Sequence, residues 1–190
     1  MYSAENFPYS YTAPDGKEYA FHTDFREWLR FESLITNGDV PEPARNILAL
    51  RLIFPNDAPP DTEDAMSFIL WFYRCGKEPA RHSDDSLILE SRRVYDFEQD
   101  SDYICAAFAE QYGINLWHTD YMHWWEFRAL FKGLHNTRFT DIMGYRAAEI
   151  TDDMPDSRKA FLLDMQELYE LPVSLAEKRR IERAKSLLNI

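Results

Sequence analysis

Side chains able to do chemistry are few and scattered in this chain. Of its five histidines, His118 and His123 form the closest pair, with Asp120 and Glu126 beside them. Metal-binding histidines on a helix usually stand at i and i+4 on one face. The wider spacing here turns the second ring by roughly 500° from the first, so the two rings diverge. The plainer expectation is that His123 packs beside Trp124 and Trp125, while His22, His82 and His135 lie apart in turns and loops. Cys75 and Cys105 are the only cysteines, and neither has a neighbouring histidine in sequence. Cys75 falls near an expected helix C-terminus, where the dipole disfavours a thiolate. Asp84-Asp85 and Asp152-Asp153 lie in turn-rich polar stretches outside any EF-hand pattern. No G-x-S-x-G elbow and no glycine-rich phosphate loop occurs, and Gly76-Lys77 reads as a helix stop followed by a loop cation. The expectation is a non-enzymatic protein with no catalytic residues, no cofactor and no metal.

If chemistry is not the business of the chain, its composition must point elsewhere. The 190 residues, 45% apolar and 15% aromatic, are ample for one substantial core and too rich in core-forming side chains for disorder. Only six glycines disfavour an all-β sandwich or barrel. The net charge of −12 repels a phosphate backbone, so nucleic acid is not an expected partner. That charge is uneven. Residues 174–190 hold Lys178, Arg179, Arg180, Arg183 and Lys185 against Glu177 and Glu182, a basic end on an acidic body. Two thiols without metal-ligand spacing suit a reducing compartment. The opening MYSAENFPYSYTAPDGKEYAF lacks a basic stretch followed by an apolar one. The longest apolar run, Met66 to Tyr73, is interrupted by Ser67 and is far short of the ~20 residues that span a bilayer. A cytosolic protein with no membrane contact is expected.

The elements that would position any functional side chain are mainly helical. Tyr9 and Tyr11 before Pro14-Asp15-Gly16, with Tyr19 and Phe21 after it, predict a short β-hairpin over residues 9–21. Thr23 or Asp24 caps a first helix carrying Phe25, Trp28, Leu29 and Ile35, which Asn37-Gly38 ends. Pro41 and Pro43 suit the first turn of a second, which Phe54-Pro55 closes. Asp61 or Thr62 caps a third, stopped by Gly76. Residues 77–91 have no helical period and predict a mobile loop, the best internal boundary. A fourth helix is expected from Asp96 to Gly113, a fifth from Thr119 or Asp120 to Gly133, and a shorter sixth from Thr137 to Gly144. Asp156 or Ser157 caps a seventh with a stripe of Phe161, Leu162, Met165, Leu168 and Tyr169, broken by Pro172. The fold class is therefore mainly α: a single domain, residues 1–173, of about seven or eight helices with an N-terminal hairpin. Residues 174–190 follow as an amphipathic C-terminal helix. Phe25, Trp28, Leu48, Ile69, Phe72, Ile104, Phe108, Trp125 and Leu168 are expected in the core.

Aromatic crowding is the unusual feature. Phe68-Ile69-Leu70-Trp71-Phe72-Tyr73 is apolar on every side of a helical turn, and Tyr121-Met122-His123-Trp124-Trp125-Glu126-Phe127 repeats the theme. A surface helix needs an apolar stripe only ~100° wide. Either both helices are central and covered all round, or part of each lies at a protein interface, where Trp, Tyr and Phe are enriched. On the second reading Trp71, Tyr73 and Trp124 contact a partner. Leu175, Ile181 and Leu188 of the basic end form a face that must dock on its own body or on a neighbouring copy, and self-association is the favoured expectation.

The stretches FHTDFREWLRFE, ALRLIFP, LWFYRCGK, RVYDFEQDSDYICAAFAEQYGINL, HWWEFRALFKGL and TRFTDIMGYR resemble the phage gene-product-fifteen family of siphophage and prophage tail modules in Gram-positive bacteria. The resemblance runs from about Gly16 to Leu171, most specifically over Trp71 to Lys77, Val94 to Asp100 and Trp124 to Arg146. It departs in the Lys77–Ser91 loop, often lysine-rich in the family and mixed in charge here. The family's genes lie between those for the major tail protein and the tape-measure protein, the slot of tail assembly chaperones. The resemblance therefore implies a chaperone in the host bacterial cytoplasm that binds the tape-measure protein, and it brings no defined catalytic or binding residues. A structural tail component of the virion is the alternative; a small enzyme with a dispersed active site is the third reading.

Overall fold

The computed structural model describes residues 7–36, 40–78 and 93–172. Most of the expected 77–91 loop and the whole expected 174–190 helix lie outside the described residues. Two antiparallel strands and seven helices are present among the described residues. They group into two compact units interleaved along the chain: 7–36, 40–78 and 121–129 in the first, 93–120 and 130–172 in the second.

The first unit opens with the hairpin. Strands β1 (Ser10–Thr12) and β2 (Glu18–Ala20) pair with Tyr11 opposite Tyr19, around a turn where Gly16 takes φ +82°. Alternation sends Tyr11, Ala13, Tyr19 and Phe21 inward. A two-stranded sheet is marginal alone, and this one leans on the aromatic face of the helix Thr62–Tyr73: Tyr11 and Phe21 both meet the Phe68 ring, at 4.5 and 5.0 Å. The buried Tyr11 hydroxyl donates to the Asp64 carboxylate, and burial together with that carboxylate pushes its pKa up.

Helices α1 (Phe25–Thr36), α2 (Glu42–Ile53) and α3 (Thr62–Tyr73) follow within a residue or two of expectation. Asp61 caps α3 by accepting from the Glu63 and Asp64 amides, and Pro43 sits in the first turn of α2. Helix α3 ends in a Schellman turn: the Gly76 amide reaches the Trp71 carbonyl and the Cys75 amide that of Phe72. Cys75 takes the left-handed position at φ +58°, followed by Gly76 at φ +73°. Glycine suits the latter, because φ +73° strains any other residue and a Cβ there would stand 3.0 Å from the Trp125 ring, which would have to give way.

Helix α5 (Trp124–Gly133) starts later than the expected Thr119 or Asp120. The reason is a long-range pairing. Asp24 and His123 form an antiparallel bridge, the Trp124 amide donates to Thr23 at 2.8 Å and the Phe25 amide to Met122 at 3.0 Å. Two extended pieces thus pair and launch α1 and α5 from one point.

In the second unit α4 (Ser101–Tyr112) begins after the expected Asp96. The Asp96 carboxylate accepts from the Glu98 and Gln99 amides at 2.9 and 2.8 Å, which closes a separate turn before the helix. Gly113 at φ +68° ends α4. A Thr137–Thr140 capping box starts α6 (Arg138–Ala147), and α7 (Asp156–Leu168) packs on α6. The ion pair of Asp100 with Arg146, at 2.7 and 2.9 Å, is almost wholly buried; Arg146 also donates to the carbonyls of Tyr169 and Val94.

Of the expected core, Phe25, Trp28, Ile69, Phe72, Ile104, Phe108 and Trp125 are buried. Leu48 and Leu168 are not: they are 44% and 65% exposed. Helix α2 buries Ala49, Leu50 and Ile53, a face that leaves Leu48 outside, and α7 buries Leu162 alone.

Candidate protein-contact surface

Aromatic rings of the first unit form a continuous wall. Phe68 meets Trp71 at 5.7 Å, Trp71 meets Trp125 edge-on at 5.6 Å, and Phe7 joins Trp125 at 5.8 Å. Phe7 also stacks on His123 at 4.5 Å, and Tyr9 stands edge-on to the same imidazole at 5.3 Å. Trp125 and His123 are the buried base; Phe68, Trp71 and Phe7 are half-buried; Tyr9 and Tyr121 are 55% and 49% exposed. Large, stiff aromatic side chains on a buried base are the residue types that dominate protein interfaces.

The base is held by polar contacts that a helix end requires. The last carbonyls of α3 lack intrahelical partners. The Trp125 indole donates to the Phe72 carbonyl at 2.9 Å and the Trp124 indole to that of Tyr73 at 3.0 Å. Both tryptophans thus tie α5 to the C-terminus of α3. His123 caps α5 in turn, its Nδ1 accepting from the Trp125 amide at 3.1 Å. The ring proton then sits on Nε2, which faces the Pro8 carbonyl at 3.3 Å.

Burial lowers the His123 pKa, against a smaller opposing effect of the Pro8 carbonyl. The unfolded chain then binds the proton more readily than the folded one. Stability is expected to fall as pH drops below the unfolded value of about 6.5 and on through the lower folded value. Urea midpoints measured from pH 8 to 5 check this. The fall should be shallower in His123→Gln, and an identical pH dependence in both proteins would refute it.

Of the six expected contact residues, Trp71 lies on the wall. Tyr73 is half-buried beside it in sequence, its hydroxyl donating to Glu32 at 2.8 Å. Trp124 is a correction. At 0% exposure it is stacked between Tyr73 and Trp28 in the core, where no partner reaches it. Leu175, Ile181 and Leu188 lie outside the described residues. Phe7, Tyr9 and Tyr121 were missed by sequence reasoning: Tyr9 shares the period of buried Tyr11, and nothing local separates the two. His118 is exposed while His123 is buried, and among the described residues no group of three or more histidine, cysteine or acidic side chains is placed to hold a metal ion. No described helix is long and apolar enough to cross a membrane.

No curated protein and no solved structure matches the chain. A family model does: that of the Bacteriophage Gp15 protein, over residues 6–171. The match takes in the hairpin, the aromatic wall and every described helix. The chain therefore belongs to the bacteriophage Gp15 family and is a phage protein.

Proposed function

We propose that this phage protein is a tail assembly chaperone that binds the tape-measure protein in the host bacterial cytoplasm, by surface contact and without catalysis. The observation that carries the reading is the aromatic wall, with Tyr9 and Tyr121 exposed and Trp71 half-buried over a base of Trp125 and His123. A long helical client with apolar stripes aggregates while it waits for its tube. Such a stripe is covered best by aromatic side chains, which give large contact area at small entropic cost. The net charge of −12 keeps a protein loaded with apolar client in solution.

Co-expression with the tape-measure protein tests this directly. The soluble fraction of the tape measure should rise several-fold with the intact chain and fall back with the double variant Tyr9→Ser/Trp71→Ala. Equal solubility with and without the chain would end the proposal. Mass spectrometry of purified virions separates a chaperone, absent or trace, from a stoichiometric tail component.

A further inference from the structure

Two helices expose apolar stripes that the aromatic wall does not involve, one on each compact unit. On α2, Ala44, Ile47, Leu48 and Arg51 stand at i, i+3, i+4 and i+7, all exposed, with Ile47 at 53%. On α7, Phe161, Asp164, Met165 and Leu168 repeat that spacing; all are exposed except half-buried Met165, and the Phe161 ring is braced edge-on by Tyr145 at 5.7 Å. Residues so spaced line one side of a helix and form the ridges by which helices pack. We propose that the occupant of each stripe is the other stripe on a second copy of this chain, so that copies join head to tail, α2 of one against α7 of the next.

Charge selects this pairing over the alternatives. An α7–α7 pair about a two-fold axis would bring both Asp164 carboxylates together at the centre of an apolar contact, since Asp164 lies midway between Phe161 and Leu168. An α2–α2 pair would lay each Arg51 over the first turn of its mate, where Glu42 and the positive end of the helix offset each other and no carboxylate stands on the stripe itself. Crossing α2 with α7 instead sets Arg51 against Asp164. Arg51 lies about one turn from the middle of its stripe, roughly 5 Å at 1.5 Å per residue. Its long side chain spans that distance whichever way the helices run. Because the two stripes differ, a copy joined through one stripe keeps the other for a further copy, and the contact repeated head to tail builds rings or filaments. A single helix pair is a small interface, so the association is weak and concentration-dependent. It stands apart from the client reading: co-expression with the tape measure could fail with this contact intact, and the reverse.

Sedimentation velocity on the full-length protein tests it. The wild-type mass should rise with concentration beyond that of a dimer. Leu48→Asp and Leu168→Asp should each be monomeric, and an equimolar mixture of the two should form dimers and nothing larger, because only one intact α2 stripe and one intact α7 stripe then meet. Arg51→Glu should weaken association about tenfold, and Arg51→Glu/Asp164→Arg should restore it. That charge-exchanged pair leaves the apolar side chains in place and keeps the test readable if an aspartate variant fails to fold. A wild-type protein that stays monomeric at every concentration, a mixture that yields no dimer or goes beyond one, or no rescue by charge exchange would overturn the inference.

Discussion

Arg146→Met is expected to lower stability by about 3–5 kcal/mol, the usual consequence of leaving one partner of a buried ion pair uncompensated. Asp100 would remain buried with its carboxylate stripped of two guanidinium bonds. The carbonyls of Val94 and Tyr169 would each lose a donor as well. In a chain of this size such a loss lowers Tm by roughly 6–20 °C. Lysine should not rescue, because an ammonium has three donors at one point, whereas Arg146 serves both carboxylate oxygens and the carbonyls of Tyr169 and Val94 from three nitrogens spread over a plane. A double replacement, Arg146→Met with Asp100→Leu, should recover part of the stability, since an apolar pair carries no desolvation penalty, while the Asp96 amide and the Val94 and Tyr169 carbonyls still lose these partners. Urea unfolding followed by circular dichroism measures all four proteins. A loss below about 1 kcal/mol in Arg146→Met would show that the pair is not the organiser of the second unit.

The second large effect belongs to Trp124. Its ring is wholly buried and stacks on Tyr73 at 5.6 Å, while its indole N–H satisfies the Tyr73 carbonyl at the end of α3. Trp124→Ala should cost about 3–5 kcal/mol, from lost burial and the cavity left behind. Trp124→Phe separates the two roles. It keeps much of the ring contact and removes the donor, for about 1–3 kcal/mol. Trp71→Ala, on the partly open wall, should cost clearly less than Trp124→Ala. Equal losses at the two positions would mean that the division between buried core and partly open wall is wrong.

That division marks where sequence reading stops. Local signals located most of the elements because their causes are local. The Pro-Asp-Gly turn makes the hairpin, Asp61 caps α3 from three residues away, and Thr137 closes a box with Thr140. Helical periodicity likewise placed Trp28, Ile69, Phe72 and Phe108 in the core, where all four are fully buried. The family was also legible, because its motifs are runs of contiguous residues. The start of α5 was not: it depends on Thr23 and Asp24 pairing with a segment far along the chain, and no window of sequence contains both partners. The late start of α4 is different: its cause, the turn that Asp96 closes, is local and was overlooked, while the pairing of Asp100 with Arg146, 46 residues away, lies beyond any window. Composition could not tell Trp71 from Trp124, or Leu48 from Leu50, because a helix apolar on several sides satisfies its period in more than one orientation. What the sequence determined alone was which segments coil, where they stop and which family they belong to. Tertiary structure decided which apolar side of each helix faces inward and which stays exposed, because burial is set by neighbours distant in the chain.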